Sequence, residues 1–344
     1  MESLGPMLLQ PIPKGRAWGG RTFVQWGKFA APARGQLPIG ESWELADLPD
    51  AVADGRSLIA AGPCAGLTLR QALHAHERSI MGRAHLSAAG RFPMLVKFLD
   101  AAEHLSVQVH PSAAFAETNP GAHLKTESWF VLHAAPGARI WRGVRPQVTR
   151  QAFESCLRGG GNVVDLLVEV PVRAGDCIDL PSGLCHALGE GVTVAEIQTP
   201  SDTTFRVFDW NRNDPARPLH PDQAMACIGF GPAQELDRFP VVNAATMPPV
   251  LTRQFRTTLL SRTPFYRIER LEAVENADLA VITQQRPACW MVLAGEVRMD
   301  DGLRAGPWQT LLMPASAEGR VARLTAGTVL LRALVPDPMD RWLA

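Results

Sequence analysis

The chain has 344 residues, 46% of them apolar, which is enough to bury one large core or two moderate ones. It carries no net formal charge, and its 34 acidic and 34 basic residues are mixed along the chain rather than gathered in runs. That leaves no electrostatic footprint for nucleic acid or for an anionic membrane, and points to a small-molecule partner. The opening MESLGPMLLQPIPKGRAWGG lacks the charged and apolar regions of a signal peptide, and no later stretch is apolar for long enough to span a bilayer, so a cytoplasmic protein is expected. Six scattered cysteines (Cys64, Cys156, Cys177, Cys185, Cys227, Cys289) include no C-x-x-C pair and read as reduced packing residues.

In chain order, the first hundred residues alternate Gly/Pro-rich connections with short apolar runs. The segment TLRQALHAHERSIMG (68–82) has the apolar spacing of an amphipathic helix. Shorter helices are expected at PSAAFAET (111–118) and at PQVTRQAFESCLRGG (146–160), which glycines close. Between residues 94 and 210 the texture becomes a series of short β-rich runs: MLVKFL, LSVQVH, SWFVLH, ARIWRG, DLLVEVPV, DCIDLP, VTVAEIQ and FRVFDW. Many short strands separated by turn signals point to an antiparallel sandwich or barrel, and a jelly roll is the version that leaves a lined cavity. The Pro-rich FPVVNAATMPPV (239–250) reads as a linker, and the remainder as a second jelly roll without a metal, since no histidine follows His220. The expected fold is therefore mainly β, jelly-roll barrels with a few short helices.

Three short pieces carry chemistry. In LSVQVHPS, Gln108 and His110 are two apart on a predicted strand, so both side chains leave one face while Val107 and Val109 leave the other. That spacing makes either a chelating pair or a polar strand face turned to water. In GDCIDLPSGLCHAL, the order Gly175, Pro181, Gly183, His186 puts a tight turn before a histidine and aims it into a barrel mouth. This order resembles the second motif of the cupin superfamily, with Glu190 in place of the final Asn. In KTESWFVL, Glu127 opens an apolar strand and by itself reads as a strand-edge charge. Together the four side chains offer two imidazoles, a carboxylate and an amide oxygen, a set suited to Zn²⁺ or a similar divalent ion. With a single anionic ligand, such a metal stays a Lewis acid toward a sugar oxygen.

FPMLVKFLDAAEHLSVQVHPS, KTESWFVL, DCIDLPSGLCHAL and VAEIQTPSDTTFRVFDWNR, in this order, resemble the type I mannose-6-phosphate isomerases, especially their short bacterial form. The early GGR (19–21) and GESWELAD (40–47) fit that form too, and the likeness covers residues 15–215 before weakening toward the end. The resemblance implies jelly-roll barrels of the cupin type: a metal-binding catalytic domain over 1–240 with an N-terminal helical insertion, and a degenerate cupin-like domain over 241–344. It implies one Zn²⁺, or another divalent metal, per chain, held by Gln108, His110, Glu127 and His186. It also implies a sugar phosphate as partner, interconverted between D-mannose 6-phosphate and D-fructose 6-phosphate through a cis-enediol, in a monomer or homodimer.

The same resemblance assigns Lys125 and Arg206 to catalysis, the first facing the substrate and the second holding phosphate or oxyanion at the mouth of the site. Glu196, which alternates with Val194 and Gln198, matches a family glutamate and is the base named first; the competing reading is a buried carboxylate that orients another group. Lys97 and Ser106 match positions lining the pocket. Arg212 stands where longer members carry lysine, keeping the charge without the compact ammonium geometry. His123 and His220 lie in loops beside the site segments and are assigned no role. A non-catalytic sugar-phosphate sensor, an iron-dependent oxygenase and an isomerase of a related aldose phosphate are the alternatives.

Overall fold

The computed structural model describes residues 3–336, apart from residues 213 and 235. It is mainly β, with antiparallel strand pairings and a few short helices, as the strand spacing predicts. Contacts group the chain into two units, one formed by residues 13–41 and 98–241, the other by 1–12, 42–97 and 242–344.

The first unit holds the segments with the chemistry. A five-stranded sheet runs in the order Phe205–Phe208, Val107–Val109, His186–Leu188, Arg139–Val144, Leu167–Pro171. A second sheet carries Asp176–Leu180, Glu127–Ala134 and Val192–Gln198 side by side. Trp129, Val131, Ile140, Ile178, Leu188 and Val194, drawn from strands of both sheets, pack into one core cluster inside the barrel. The outer face of the five-stranded sheet is covered by the helices Arg150–Arg158 and Pro221–Cys227, which bury Phe153, Ala224 and Met225 against Val107, Val109 and Val207. Burying each such side chain contributes about 1.5–3 kcal/mol. Alternation therefore sends Val107 and Val109 to the helices and Gln108 to the barrel interior.

The second unit has its own pair of sheets. The larger includes Phe255–Arg262, Arg267–Ala273, Val329–Leu334, Ala288–Ala294, Thr310–Met313 and Met7–Gln10 as successive neighbours, and the smaller centres on Val321–Leu324. Trp290, Val292, Leu311, Leu324 and Leu330 fill the core of this unit. This unit contains the C-terminal stretch that the sequence suggests as a second jelly roll, together with two earlier segments of the chain. Met7–Gln10 pairs in register with Thr310–Met313, and the 42–97 segment groups with it. Such long-range pairing has no local periodicity to announce it. The stretch taken as a linker also holds two short strands, Val242–Asn243 and Val250–Leu251.

The helices fall near their expected places. Leu69–Met81 is closed at its start by a reciprocal Thr68/Gln71 capping box, a device contributing about 1 kcal/mol, and it is kinked at His76 (φ −137°). Ala113–Thr118 and Arg150–Arg158 start on the Ser112 and Thr149 hydroxyls. Pro221–Cys227, with proline in its first turn, is a helix the sequence reading lacked. All six cysteines are free thiols. Among the described residues no helix is long and apolar enough to cross a membrane.

Candidate metal centre

Strand register assembles the site. Gln108 stands opposite His186 on one side and opposite Arg206 on the other, and His186 stands opposite Arg142. Directly opposed residues of an antiparallel pair share a face, so Arg206, Gln108, His186 and Arg142 form a row across four strands. His110 follows Gln108 by two residues, just beyond the strand end. From the other sheet comes Glu127, the first residue of its strand, opposite Gln198. The turn that delivers His186 contains Gly183 (φ 85°), and the turn into the preceding strand Asp176–Leu180 contains Gly175 (φ 89°); both are left-handed and therefore at little cost only in glycine.

The donors converge. His110 Nε2 lies 3.1 Å from Glu127 Oε2, and His186 Nε2 lies 3.1 Å from Glu127 Oε1. Gln108 Nε2 is 3.3 Å from His186 Nε2, and a half-turn of the amide presents its oxygen there instead. His110, Glu127 and His186 are all fully buried, and their ligand atoms lie within 4.8 Å of one another. His110 Nε2 and both Glu127 oxygens make no hydrogen bond of good geometry, although the imidazoles stand 3.1 Å and the Lys125 ammonium 2.8 Å from the carboxylate. Atoms aimed at a common point rather than at each other give that combination.

The far nitrogens of the two rings explain the rest. His110 Nδ1 faces the Thr203 carbonyl at 3.2 Å, and His186 Nδ1 faces the Leu184 carbonyl at 2.8 Å. A carbonyl accepts only, so each Nδ1 carries a proton and each ring turns its Nε2 toward the carboxylate. Burial, and then the Lys125 ammonium, push the His110 pKa down to about 3, so this ring is neutral at ordinary pH. Burial raises the Glu127 pKa, but the neighbouring Lys125 ammonium outweighs it and holds the carboxyl well below its usual range. The His110 lone pair against a carboxylate at 3.1 Å repels unless a cation lies between them, so the donor set fits a divalent metal.

The other residues expected here are placed as follows. Lys125 is buried with Nζ 2.8 Å from Glu127 Oε2. Ser106 is buried two residues before Gln108. Glu196 is buried opposite Trp129, one inward-facing pair beyond Glu127 and Gln198, and its Oε2 accepts from Trp129 Nε1 at 3.0 Å. The Trp129 ring in turn meets the His186 ring edge-on, centroids 5.4 Å apart. Arg206 donates from Nη1 to the Pro218 carbonyl at 2.8 Å and makes no ion pair with any described carboxylate, while its buried Nε has no partner. Arg212 is committed elsewhere, to Asp209 (3.1 Å), Glu103 (3.0 Å) and the His104 carbonyl (2.7 Å). Lys97 belongs to the other unit, buried with its ammonium 5.4 Å over the Trp43 ring.

Sequence reasoning missed the Thr203 and Leu184 carbonyls, because a backbone acceptor leaves no residue signature. It also missed Gln198, buried beside Glu127, whose amide donates to the carbonyls of Thr199 and Ser201 and ties down the loop carrying Thr203. The alternation of Glu196 with Gln198 was the available signal.

The family model of the phosphomannose isomerase type I catalytic domain matches residues 7–136. The mannose-6-phosphate isomerase of Streptococcus mutans is 32% identical over 305 residues, covering 87% of this chain and 88% of the relative. A mannose-6-phosphate isomerase of Bacillus subtilis is 31% identical over 309 residues, covering 88% and 90%. The crystal structure of the Bacillus subtilis mannose 6-phosphate isomerase superposes with a TM-score of 0.80 at 24% identity, over 96% of this chain and 100% of that one. That superposition carries the fold.

Proposed function

The chain belongs to the type I phosphomannose isomerase family, and on that premise we propose that it interconverts D-mannose 6-phosphate and D-fructose 6-phosphate using one divalent metal. Gln108, His110, Glu127 and His186 would hold the metal. Two imidazoles, a carboxylate and an amide oxygen suit zinc best. The observation that carries this reading is the convergence of the buried ligand atoms of His110, Glu127 and His186, all within 4.8 Å of one another. When bound, the metal would polarise the sugar oxygen next to the migrating proton.

Isomerisation moves one proton between C1 and C2 and passes through an enediolate. Lys125, held beside Glu127, supplies positive charge where that oxyanion develops. Arg206 holds the phosphate: its guanidinium is unclaimed by any described carboxylate, whereas Arg212 would have to exchange Asp209 and Glu103 for substrate. Ser106 lines the same interior beside Gln108. Glu196 is the base of this reading. The Trp129 hydrogen bond favours a second reading for that residue, in which its carboxylate seats Trp129 against His186. Glu196→Gln separates the two: a base loses kcat by about a hundredfold or more with metal and fold intact, while a seat loses stability and metal affinity.

Metal-loaded protein should convert mannose 6-phosphate to fructose 6-phosphate in a coupled assay, and should act on unphosphorylated mannose about tenfold or more less efficiently. Binding of fructose 6-phosphate without turnover would instead favour the sensor reading, and iron with oxygen consumption would favour the oxygenase.

A further inference from the structure

We propose that His220 is a positioning residue for Arg206, with the Pro218–His220 segment holding the arginine at three points. The inference rests on the reading of Arg206 as the holder of the substrate's anionic group.

Arg206 lies on Phe205–Phe208, the edge strand of the five-stranded sheet, and is opposite Gln108. Its backbone N–H and C=O turn away from the sheet, where an edge strand would leave them bare. His220 takes both: the Arg206 N–H donates to His220 Nδ1 at 3.1 Å, and the His220 N–H donates to the Arg206 carbonyl at 2.8 Å. The third point is on the side chain, where Arg206 Nη1 donates to the Pro218 carbonyl at 2.8 Å. One imidazole nitrogen and one peptide thus stand in for a neighbouring strand at the single position of that strand that bears the guanidinium.

The clamp is anchored. His220 is the N-cap residue of Pro221–Cys227, and Ala224, Met225 and Cys227 of that helix are buried in the outer core with Phe205 and Val207. Helix seating therefore fixes the height of His220, and His220 fixes Arg206. An accepting Nδ1 requires the neutral ring with its proton on Nε2. Burial, and then the Arg206 charge, lower the His220 pKa and preserve that form near neutral pH.

The test uses the metal-loaded full chain with mannose 6-phosphate as substrate. His220→Ala should raise KM about tenfold while metal content stays at the unmutated level. His220→Asn, whose Oδ1 takes the place of Nδ1, should return KM to within about twofold, and His220→Gln, which reaches the Nε2 position instead, should behave like alanine. In the Arg206→Ala background, His220→Ala should cost nothing further, as expected for residues that act as a unit. A merely structural histidine would lower the melting temperature and metal content, and its effect would add to that of Arg206→Ala; that pattern overturns the proposal. If Arg206→Ala raises KM and a folded His220→Ala or His220→Gln does not, the clamp alone is wrong. If Arg206→Ala leaves KM unchanged, the reading of Arg206 is wrong and the inference falls with it.

Discussion

Gln108 and His186 stand opposite each other on neighbouring antiparallel strands, with their side-chain nitrogens 3.3 Å apart although 78 residues separate them in the chain. Register alone makes this pair: a slip of one residue would turn His186 into the apolar outer core and Ala187 into the site. Gln108 should therefore behave as a metal ligand of secondary strength. Gln108→Ala should weaken metal affinity about 10- to 100-fold, and His110→Ala should abolish stoichiometric metal. Metal analysis after equilibrium dialysis checks both; full occupancy in the His110 variant would remove that residue from the ligand set.

Acid should unfold the metal-free protein early. His110 has a folded pKa of about 3 against an ordinary 6.5, so between these values the unfolded chain binds a proton that the folded chain does not. Stability is then fully present above about pH 6.5 and is lost as pH falls toward 3. Glu127, whose folded pKa is also depressed, adds a loss of the same sign below about pH 4.5. Urea unfolding of chelated protein at pH 7 and pH 5 should show a drop on the order of 2 kcal/mol. Equal midpoints at the two pH values would mean that His110 is not held neutral.

Trp129 is fully buried and donates its indole N–H to Glu196. Trp129→Phe keeps most of the ring and removes that donor from a buried carboxylate, so chemical denaturation should report a loss of about 1–3 kcal/mol. A neutral substitution would mean that Glu196 is satisfied without Trp129.

Arg206 and Arg212 should separate cleanly. Arg206→Ala should leave the metal bound and the fold intact while raising KM for mannose 6-phosphate about tenfold or more, because a charge-assisted contact to phosphate is removed. Arg212→Ala breaks bonds to Asp209, Glu103 and the His104 carbonyl and should lower stability by about 1 kcal/mol instead. The reverse pattern would transfer the phosphate contact to Arg212.

Much of the site was legible because its logic is local. Strand alternation puts Gln108 and His110 on one face, open to a chelating or a merely polar reading, and His186 follows a turn in which Gly183 takes a left-handed φ. Glu127 was readable chiefly through family resemblance, since a carboxylate at a strand start has many ordinary uses. What escaped was non-local or carried by backbone. The pairing of Met7–Gln10 with Thr310–Met313 joins the two ends of the chain without a periodic signal. The carbonyls of Thr203 and Leu184 orient the rings through atoms that every residue possesses. Pro221–Cys227 escaped as well: proline in its first turn is its one local signal, and its seven residues are too short for periodicity to register.

The most direct measurement is reconstitution: strip the protein with chelator, then titrate zinc while following conversion of mannose 6-phosphate to fructose 6-phosphate. Activity should be absent at the start, rise linearly, and saturate at one metal per chain, with His110→Ala silent throughout. Full isomerase activity in the stripped protein, or a rise with zinc that survives in His110→Ala, would contradict a catalytic metal at Gln108, His110, Glu127 and His186.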